Sequence, residues 1–367
     1  MKQSFDFGEN SQAAGLPRRS RNDCFLLSYI IGNTLGGREN GMKRSILGMA
    51  AFIMFIACQA WAKDAKVERD LVRRTLIHGG IERTYHVHYP KNQRPQIPRP
   101  IVFVLHGGDG ADAKKMARQT GFNAIADREG FIVVYPAGVN GQWNDGRGKT
   151  FRKPMGNTAV DDVGFISSTI DLFINSGEVD SNRIYVTGIS NGGMMTHRIG
   201  IELGAKVAAI APAIANIPVN LSNKRAIRPL PVLIMNGTDD PLIPWNGGPV
   251  RVFGKDCGEV LSTEQTVKYW VDAAKLTESQ KKQLLADRYP DDKCRVEVNT
   301  YTMKGQQVEV VLYKMRGGGH NLPGGNTRNL PRLLGRKCMD INGPEIIWAF
   351  FAKHALAKPA APAGTHN

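Results

Sequence analysis

The sequence predicts an α/β fold, a single domain with a mostly parallel central sheet and helices on both of its faces. Three observations predict it. Short apolar runs alternate with longer helix-forming stretches from residue 101 to residue 355, which is the pattern of strand–helix–strand units. One of those runs, Arg183–Thr187, leads straight into Gly188-Ile189-Ser190-Asn191-Gly192 and a helix-forming stretch. Two later runs end in Asp239-Asp240 and in the glycine-flanked His320, at strand ends where open α/β sheets place functional groups. With 367 residues and 42% hydrophobic content, the chain can bury one large core, and no internal repeat or second domain is visible.

The elements follow in order. Met42-Lys43-Arg44, the apolar run Ile46–Cys58 and the small-X-small site Ala60-Trp61-Ala62 read as a signal peptide cleaved after Ala62. The apolar run is shorter than the ~20 residues a membrane span needs. Residues 1–41 are polar and glycine-rich, so Met42 reads as the start and residues 1–62 as an upstream extension plus signal peptide; lipidation at Cys58 is the lesser alternative. The domain then runs over residues 63–357. Leu71–Ile77 and Arg83–Tyr89 flank Gly79-Gly80 as an opening hairpin. Ile101–Leu105, Ile132–Tyr135, Arg183–Thr187, Val207–Ala211, Val232–Met235 and Val308–Lys314 read as strands. Ala113–Glu129, Asp162–Asn175, the stretch after Ser190, Thr263–Ala274 and Pro344–Ala355 read as helices, and residues 358–367, rich in Pro and Ala, as a disordered tail.

Chemistry is carried by Gly-X-Ser-X-Gly placed between a strand and a helix, the arrangement of a nucleophile elbow. A serine hydroxyl at its ordinary pKa is a poor nucleophile, so it needs a neighbouring base and a tight turn that presents it. Ser190 is the candidate nucleophile. His320 is the candidate base, on a glycine-bordered loop after a strand, and Asp240 rather than Asp239 is the candidate acid that holds the imidazole. The chain order Ser, Asp, His fits this elbow. His106-Gly107-Gly108, after the strand Ile101–Leu105, offers backbone N–H groups; Gly107 or Gly108 with Asn191 forms the candidate oxyanion hole. Asp161 and Asp162 suit the cap of the following helix better than catalysis. The polar stretch Gly141–Ala159 is expected to border the cleft, and Trp143 and Trp245 are either substrate-lining or plain packing aromatics.

With these pieces in place, the sequence resembles the polyhydroxybutyrate depolymerase family of esterases, which includes secreted feruloyl and acetylxylan esterase-like hydrolases. The resemblance rests on Leu105-His106-Gly107-Gly108, Tyr135-Pro136-Ala137-Gly138, Gln142-Trp143-Asn144-Asp145-Gly146, Val160-Asp161-Asp162, Gly188–Met194, Asn236–Pro244 and Gly318–Gly325. It implies an α/β-hydrolase fold, a Ser-Asp-His triad at Ser190, Asp240 and His320, and no cofactor. Two departures stand out: Asn236-Gly237-Thr238 replaces the family's usual His-Gly-Thr, and Asn321-Leu322 replaces Thr-Trp after the histidine. The loss of that aromatic bears on substrate preference rather than on the chemistry.

The net charge is +15, and residues 1–62 hold only seven Lys or Arg against four Asp or Glu, so most of the charge lies beyond them. The cations are scattered, with local clusters only at Arg147-Lys149-Arg152-Lys153 and Lys281-Lys282, and lack the interleaved aromatics of a base-stacking surface. Nucleic acid is therefore not an expected partner; solubility and attraction to an anionic envelope explain the charge. Past residue 62 there are three cysteines, Cys257, Cys294 and Cys338. In an oxidising compartment two can pair, with connectivity open, and none has the spacing of a metal site. The expectation is a secreted or periplasmic serine esterase acting on hydroxyalkanoate oligomers or similar small esters, with feruloyl or acetyl esters of polysaccharide as the alternative. An acyltransferase or peptidase, or a non-catalytic envelope binding protein, are lesser readings.

Overall fold

The computed structural model describes residues 70–91, 98–108, 110, 112–149, 160–276, 279–327 and 330–357. The leader with Cys58, residues 150–159 of the long polar loop and the tail from 358 lie outside them. In chain order come β1 (Val72–His78), β2 (Ile81–His88), β3 (Arg99–Leu105), α1 (Ala113–Thr120), α2 (Phe122–Glu129), β4 (Ile132–Pro136), α3 (Asp162–Asn175), β5 (Val179–Ile189) and α4 (Asn191–Glu202). There follow β6 (Ala209–Ala213), β7 (Val232–Gly237), β8 (Gly248–Val252), β9 (Lys255–Val260), α5 (Thr263–Ala273), β10 (Ser279–Leu284), β11 (Arg295–Thr302), β12 (Glu309–Arg316), α6 (Pro331–Leu334) and α7 (Gly343–Phe351).

Among the described residues these strands make a 10-stranded sheet in the order β1-β2-β4-β3-β5-β6-β7-β12-β11-β10. From β4 to β12 the neighbours pair in parallel, and the outer pairs on both edges are antiparallel. The parallel strands carry continuous apolar runs, residues 101–105 on β3, 132–135 on β4, 184–186 on β5 and 232–235 on β7, because helices cover both faces. Period-2 alternation then divides each strand between two cores. On β3, Ile101, Phe103 and Leu105 enter the core formed with Phe165, Ile166 and Ile170 of α3, Ile199 of α4 and Trp270 of α5. Val102 and Val104 face the other side, against Met116 of α1, Ile125 of α2 and Trp348 and Phe351 of α7. Parallel pairing also sends the C-terminal ends of β3, β5, β7 and β12 to the same edge, and every candidate residue named above except Trp143 lies on the segments that follow them.

The structure departs from the expected elements in instructive places. The helix expected over Ala113–Glu129 is two helices, broken at Gly121, which adopts φ 67° and caps α1 through its N–H to Ala117 O. The hairpin β8–β9 and the edge strands β10 and β11 were not anticipated. Helix α7 stops at Phe351 rather than Ala355.

Candidate active site

The segment after β5 turns into α4 at Ser190, whose backbone sits at φ 57° and ψ −121°, a region that residues with a Cβ rarely adopt and that stores strain. The turn closes tightly on itself. A Cβ at Gly188 would lie 2.4 Å from Gly192 O, and one at Gly192 would lie 2.4 Å from His106 O and 2.5 Å from Leu105 O; both contacts are with backbone, which cannot step aside. Ser190 N–H donates to Ala213 O at 3.1 Å, and Met194 N–H donates to Ser190 O at 2.9 Å. Its hydroxyl makes no capping bond to α4, although Ser190 occupies the N-cap position. The side chain is thus presented at the sheet edge rather than spent on the helix.

Two strands away in the sheet, the turn after β7 carries Asp240, and the next strand, β12, leads to His320. His320 Nδ1 lies 2.8 Å from Asp240 Oδ2. The carboxylate accepts, so Nδ1 carries the proton and Nε2 keeps its lone pair. The other carboxylate oxygen, Oδ1, accepts the N–H groups of Leu242 and Ile243, each at 2.8 Å, which fixes the carboxylate against the turn at Pro241. Both side chains are buried, at 9% exposure for His320 and 2% for Asp240. Asp239 points elsewhere: it accepts from Thr238 Oγ1 at 2.8 Å and is 56% exposed beside Arg336. The two loops approach so closely that a Cβ at Gly237 would lie 2.2 Å from Gly318 O. The His320 loop is held from its other side by the end of α6 and the segment after it, where Gly319 N–H donates to Arg336 O at 2.8 Å and His320 N–H to Leu334 O at 2.5 Å. Asn321 adds Nδ2 bonds to Leu334 O and Gly335 O.

Gly107 and Gly108 lie against the elbow. A Cβ on Gly107 would be 3.6 Å from Ser190 Cβ, and one on Gly108 would be 3.4 Å from Asn191 Cβ. His106 serves this loop: Nε2 accepts Gly138 N–H at 2.9 Å, which leaves Nδ1 to donate to Gly107 O at 2.7 Å. Gln142 Nε2 donates to Gly108 O. Asn191 lends its side chain to the loop after β4, accepting from Trp143 N–H at 2.9 Å and donating to Trp143 O at 3.2 Å and Asp145 Oδ2 at 2.5 Å.

Trp143 requires a correction. It is fully buried at 0% exposure, its Nε1–H donates to His106 O at 2.9 Å, and its ring lies 4.8 Å from the His106 ring. It therefore supports the floor of the site and lines no substrate surface. Trp245 also turns away. It lines a cavity of about 350 Å³ between α5 and strands β11 and β12, shared with Val267, Asn299 and Leu312, that contains none of Ser190, Asp240 and His320, and Lys314 Nζ sits 4.7 Å over its ring.

Several residues of the resembling segments support the site from behind. Asp145 is buried and paired with Arg147 at 2.8 Å. Asp161 caps α3 by accepting Gly164 N–H. Asp162 has a different place: it pairs with the buried Arg83 of β2 at 2.5 Å and accepts Asn144 N–H at 2.7 Å. Burial pushes the Asp162 carboxyl upward while Arg83 pulls it down. Together these groups tie the opening hairpin, α3 and the Trp143 loop to the back of the elbow.

Residues 85–243 match the family model described as Esterase PHB depolymerase. Over those residues the chain is similar to esterases of the PHB depolymerase type. A protein named as the esterase NocK, from Nocardia uniformis subsp. tsuyamanensis, is 29% identical over 270 residues, covering 71% of this chain and 77% of its own. The bifunctional acetylxylan esterase/xylanase XynS20E of Neocallimastix patriciarum is 32% identical over 166 residues, which is 45% of this chain and only 22% of that longer protein. Among solved structures, the acetyl xylan esterase from Aspergillus awamori superposes with a TM-score of 0.50 at 14% identity, covering 77% of this chain and 99% of its own. That likeness is one of fold, the α/β-hydrolase fold. The family match and the esterase relatives, rather than the fold, make the chain a serine ester hydrolase. Among its described residues, no helix is long and apolar enough to cross a membrane.

Proposed function

We propose that this esterase cleaves hydroxyalkanoate oligomers or similar small esters through an acyl-enzyme intermediate, with Ser190 as nucleophile, His320 as general base and acid, and Asp240 as its orienting partner. The observation that carries the reading is the 2.8 Å bond from His320 Nδ1 to Asp240 Oδ2, at the edge of the sheet where the strained Ser190 is displayed. Ser190 Oγ attacks the ester carbonyl as His320 Nε2 takes its proton. The proton passes to the leaving alkoxide, and a water activated by the same imidazole releases the acid. The backbone N–H groups of Asn191 and of Gly107 or Gly108 receive the oxyanion, one such donor being worth about 3 kcal/mol of barrier.

The same chemistry on feruloyl or acetyl esters of polysaccharide is the second reading, favoured by the acetylxylan activity in the name of the relative that is 32% identical. We further propose that the protein is secreted or periplasmic, with the leader removed after Ala62; N-terminal sequencing of exported protein should begin at Lys63. The catalytic assignment is tested with short p-nitrophenyl acyl esters. Ser190→Ala should lower kcat by about 10⁴-fold or more, and retention of more than a tenth of the rate would remove Ser190 from the mechanism. Initial rates on hydroxybutyrate trimer, methyl ferulate and acetylated xylan then rank the substrate classes.

A further inference from the structure

Away from the substrate-facing edge, the structure brings two cysteines distant in sequence to one spot. Cys294 lies just ahead of β11 and Cys338 follows α6; both are buried, at 1% and 2% exposure. Their sulfurs and a carboxylate oxygen of Asp292 all lie within 4.8 Å of one another. Asp292 clips the two cysteine-bearing segments together: Oδ1 accepts Cys294 N–H at 2.8 Å and Oδ2 accepts Met339 N–H at 2.8 Å. Next to this, Asp340 Oδ1 accepts the N–H groups of Arg288 and Tyr289, fastening the same two segments a second time. Cys257 is elsewhere, in the small cluster with Met194, Ile243 and Val260 beneath β8–β9.

We propose that Cys294 and Cys338 form a disulfide that braces the loop carrying His320. The segment from Leu334 to Arg336 that receives the hydrogen bonds of Gly319, His320 and Asn321 ends two residues before Cys338. A covalent link there anchors it to the base of β11, whose pairing with β12 runs Arg295↔Arg316. The role of the brace rests on the reading of His320 as the base; the link itself does not. A soft metal ion is the competing occupant of a Cys-Cys-Asp cluster, but each oxygen of Asp292 already accepts a backbone N–H, and coordination would compete with one of these bonds. The bridge forms by exchange with a small-molecule or oxidoreductase disulfide. The two thiols become one S–S bond, the donor's S–S bond breaks, and its two sulfurs leave as thiols with the two protons. Because both sulfurs are buried, the exchange takes place as the chain folds, before the segments close over them.

The test compares full-length protein made in an oxidising and in a reducing cytoplasm, alkylated under denaturing conditions, digested and mapped by mass spectrometry. The oxidising preparation should yield the Cys294 and Cys338 peptides as one linked species, lighter by two hydrogens and separated by dithiothreitol, with Cys257 alkylated in both preparations. Alkylated Cys294 and Cys338 in the oxidising preparation, a link from either to Cys257, or stoichiometric zinc bound in both preparations would overturn the proposal. This map reads no activity, so it stands apart from the catalytic assignment. For the brace, the oxidised protein should melt roughly 5 °C above the reduced one, and Cys294→Ser and Cys338→Ser should each melt with the reduced protein in both preparations. Equal melting of the oxidised and reduced wild type would refute the bracing role.

Discussion

Asp239 and Asp240 are adjacent and chemically identical, yet their surroundings divide them. Asp240 is buried, with one oxygen on two backbone amides and the other on His320; Asp239 is 56% exposed. Replacing Asp240 by Asn supplies a donor where the imidazole needs an acceptor, so the ring turns to the wrong tautomer. Asp240→Asn should lower kcat on a p-nitrophenyl ester by about 10³-fold or more with KM changed by less than about threefold. Asp239→Asn should leave kcat within about twofold. A comparable loss in both variants would mean that the pair acts as one charge and that the bond to His320 does not set the tautomer. At this scale the sequence carries position better than direction. Ser190, Asp240 and His320 are legible because glycine-rich turns at strand ends mark where a side chain can be displayed. The burial of Trp143 is not legible, because an aromatic in a polar loop looks the same whether its indole faces a ligand or donates to His106 O.

The elements show how the elbow is held. Helix α4 begins one residue after Ser190, and its first residue, Asn191, reaches across to the loop after β4, where it meets Trp143 and Asp145. Asn191→Asp would remove both donors and set two buried carboxylates against each other, a change that should cost about 3 kcal/mol or more. Adding Asp145→Asn returns one donor to the pair, although it weakens the contact with Arg147. Urea unfolding of the two single variants and the double variant should give a favourable coupling of at least about 1 kcal/mol; additivity within error would show that the loop and the helix are not energetically joined. The parallel strands are legible as elements because burial on both faces makes them nearly all apolar. The edges are not. Strand β10, Ser279–Leu284, reads Ser-Gln-Lys-Lys-Gln-Leu, with no alternation to mark it, and exists through pairing with β11 from Ser279↔Thr302 to Leu284↔Glu297. The break at Gly121 is hidden for the opposite reason: helix-forming residues on both sides give one continuous pattern.

Across the whole molecule, two helical layers press on one sheet, and a titratable group is sealed into one of them. His197, on α4, is fully buried, accepts Trp270 Nε1–H from α5 on Nδ1 at 3.1 Å, and stacks on that indole at 6.2 Å. Burial drives its pKa down to about 3, so the folded protein holds it neutral while the unfolded chain protonates it below its ordinary value near 6.5. Between those values the unfolded state binds the extra proton, and stability falls as pH falls, by about 1.4 kcal/mol per unit from this one group. From pH 6.5 to 5 the loss should reach about 1.5 kcal/mol, the unfolded imidazole being already half protonated at the upper end, and in this window ordinary carboxylates remain ionised in both states and contribute little. His197→Gln keeps an acceptor for Trp270 but does not titrate, so its unfolding free energy in urea should change far less over the same interval, even if its stability at pH 7 is lower. A wild-type curve that is flat from pH 6.5 to 5, or a slope unchanged in His197→Gln, would show that acid sensitivity in this protein has another source.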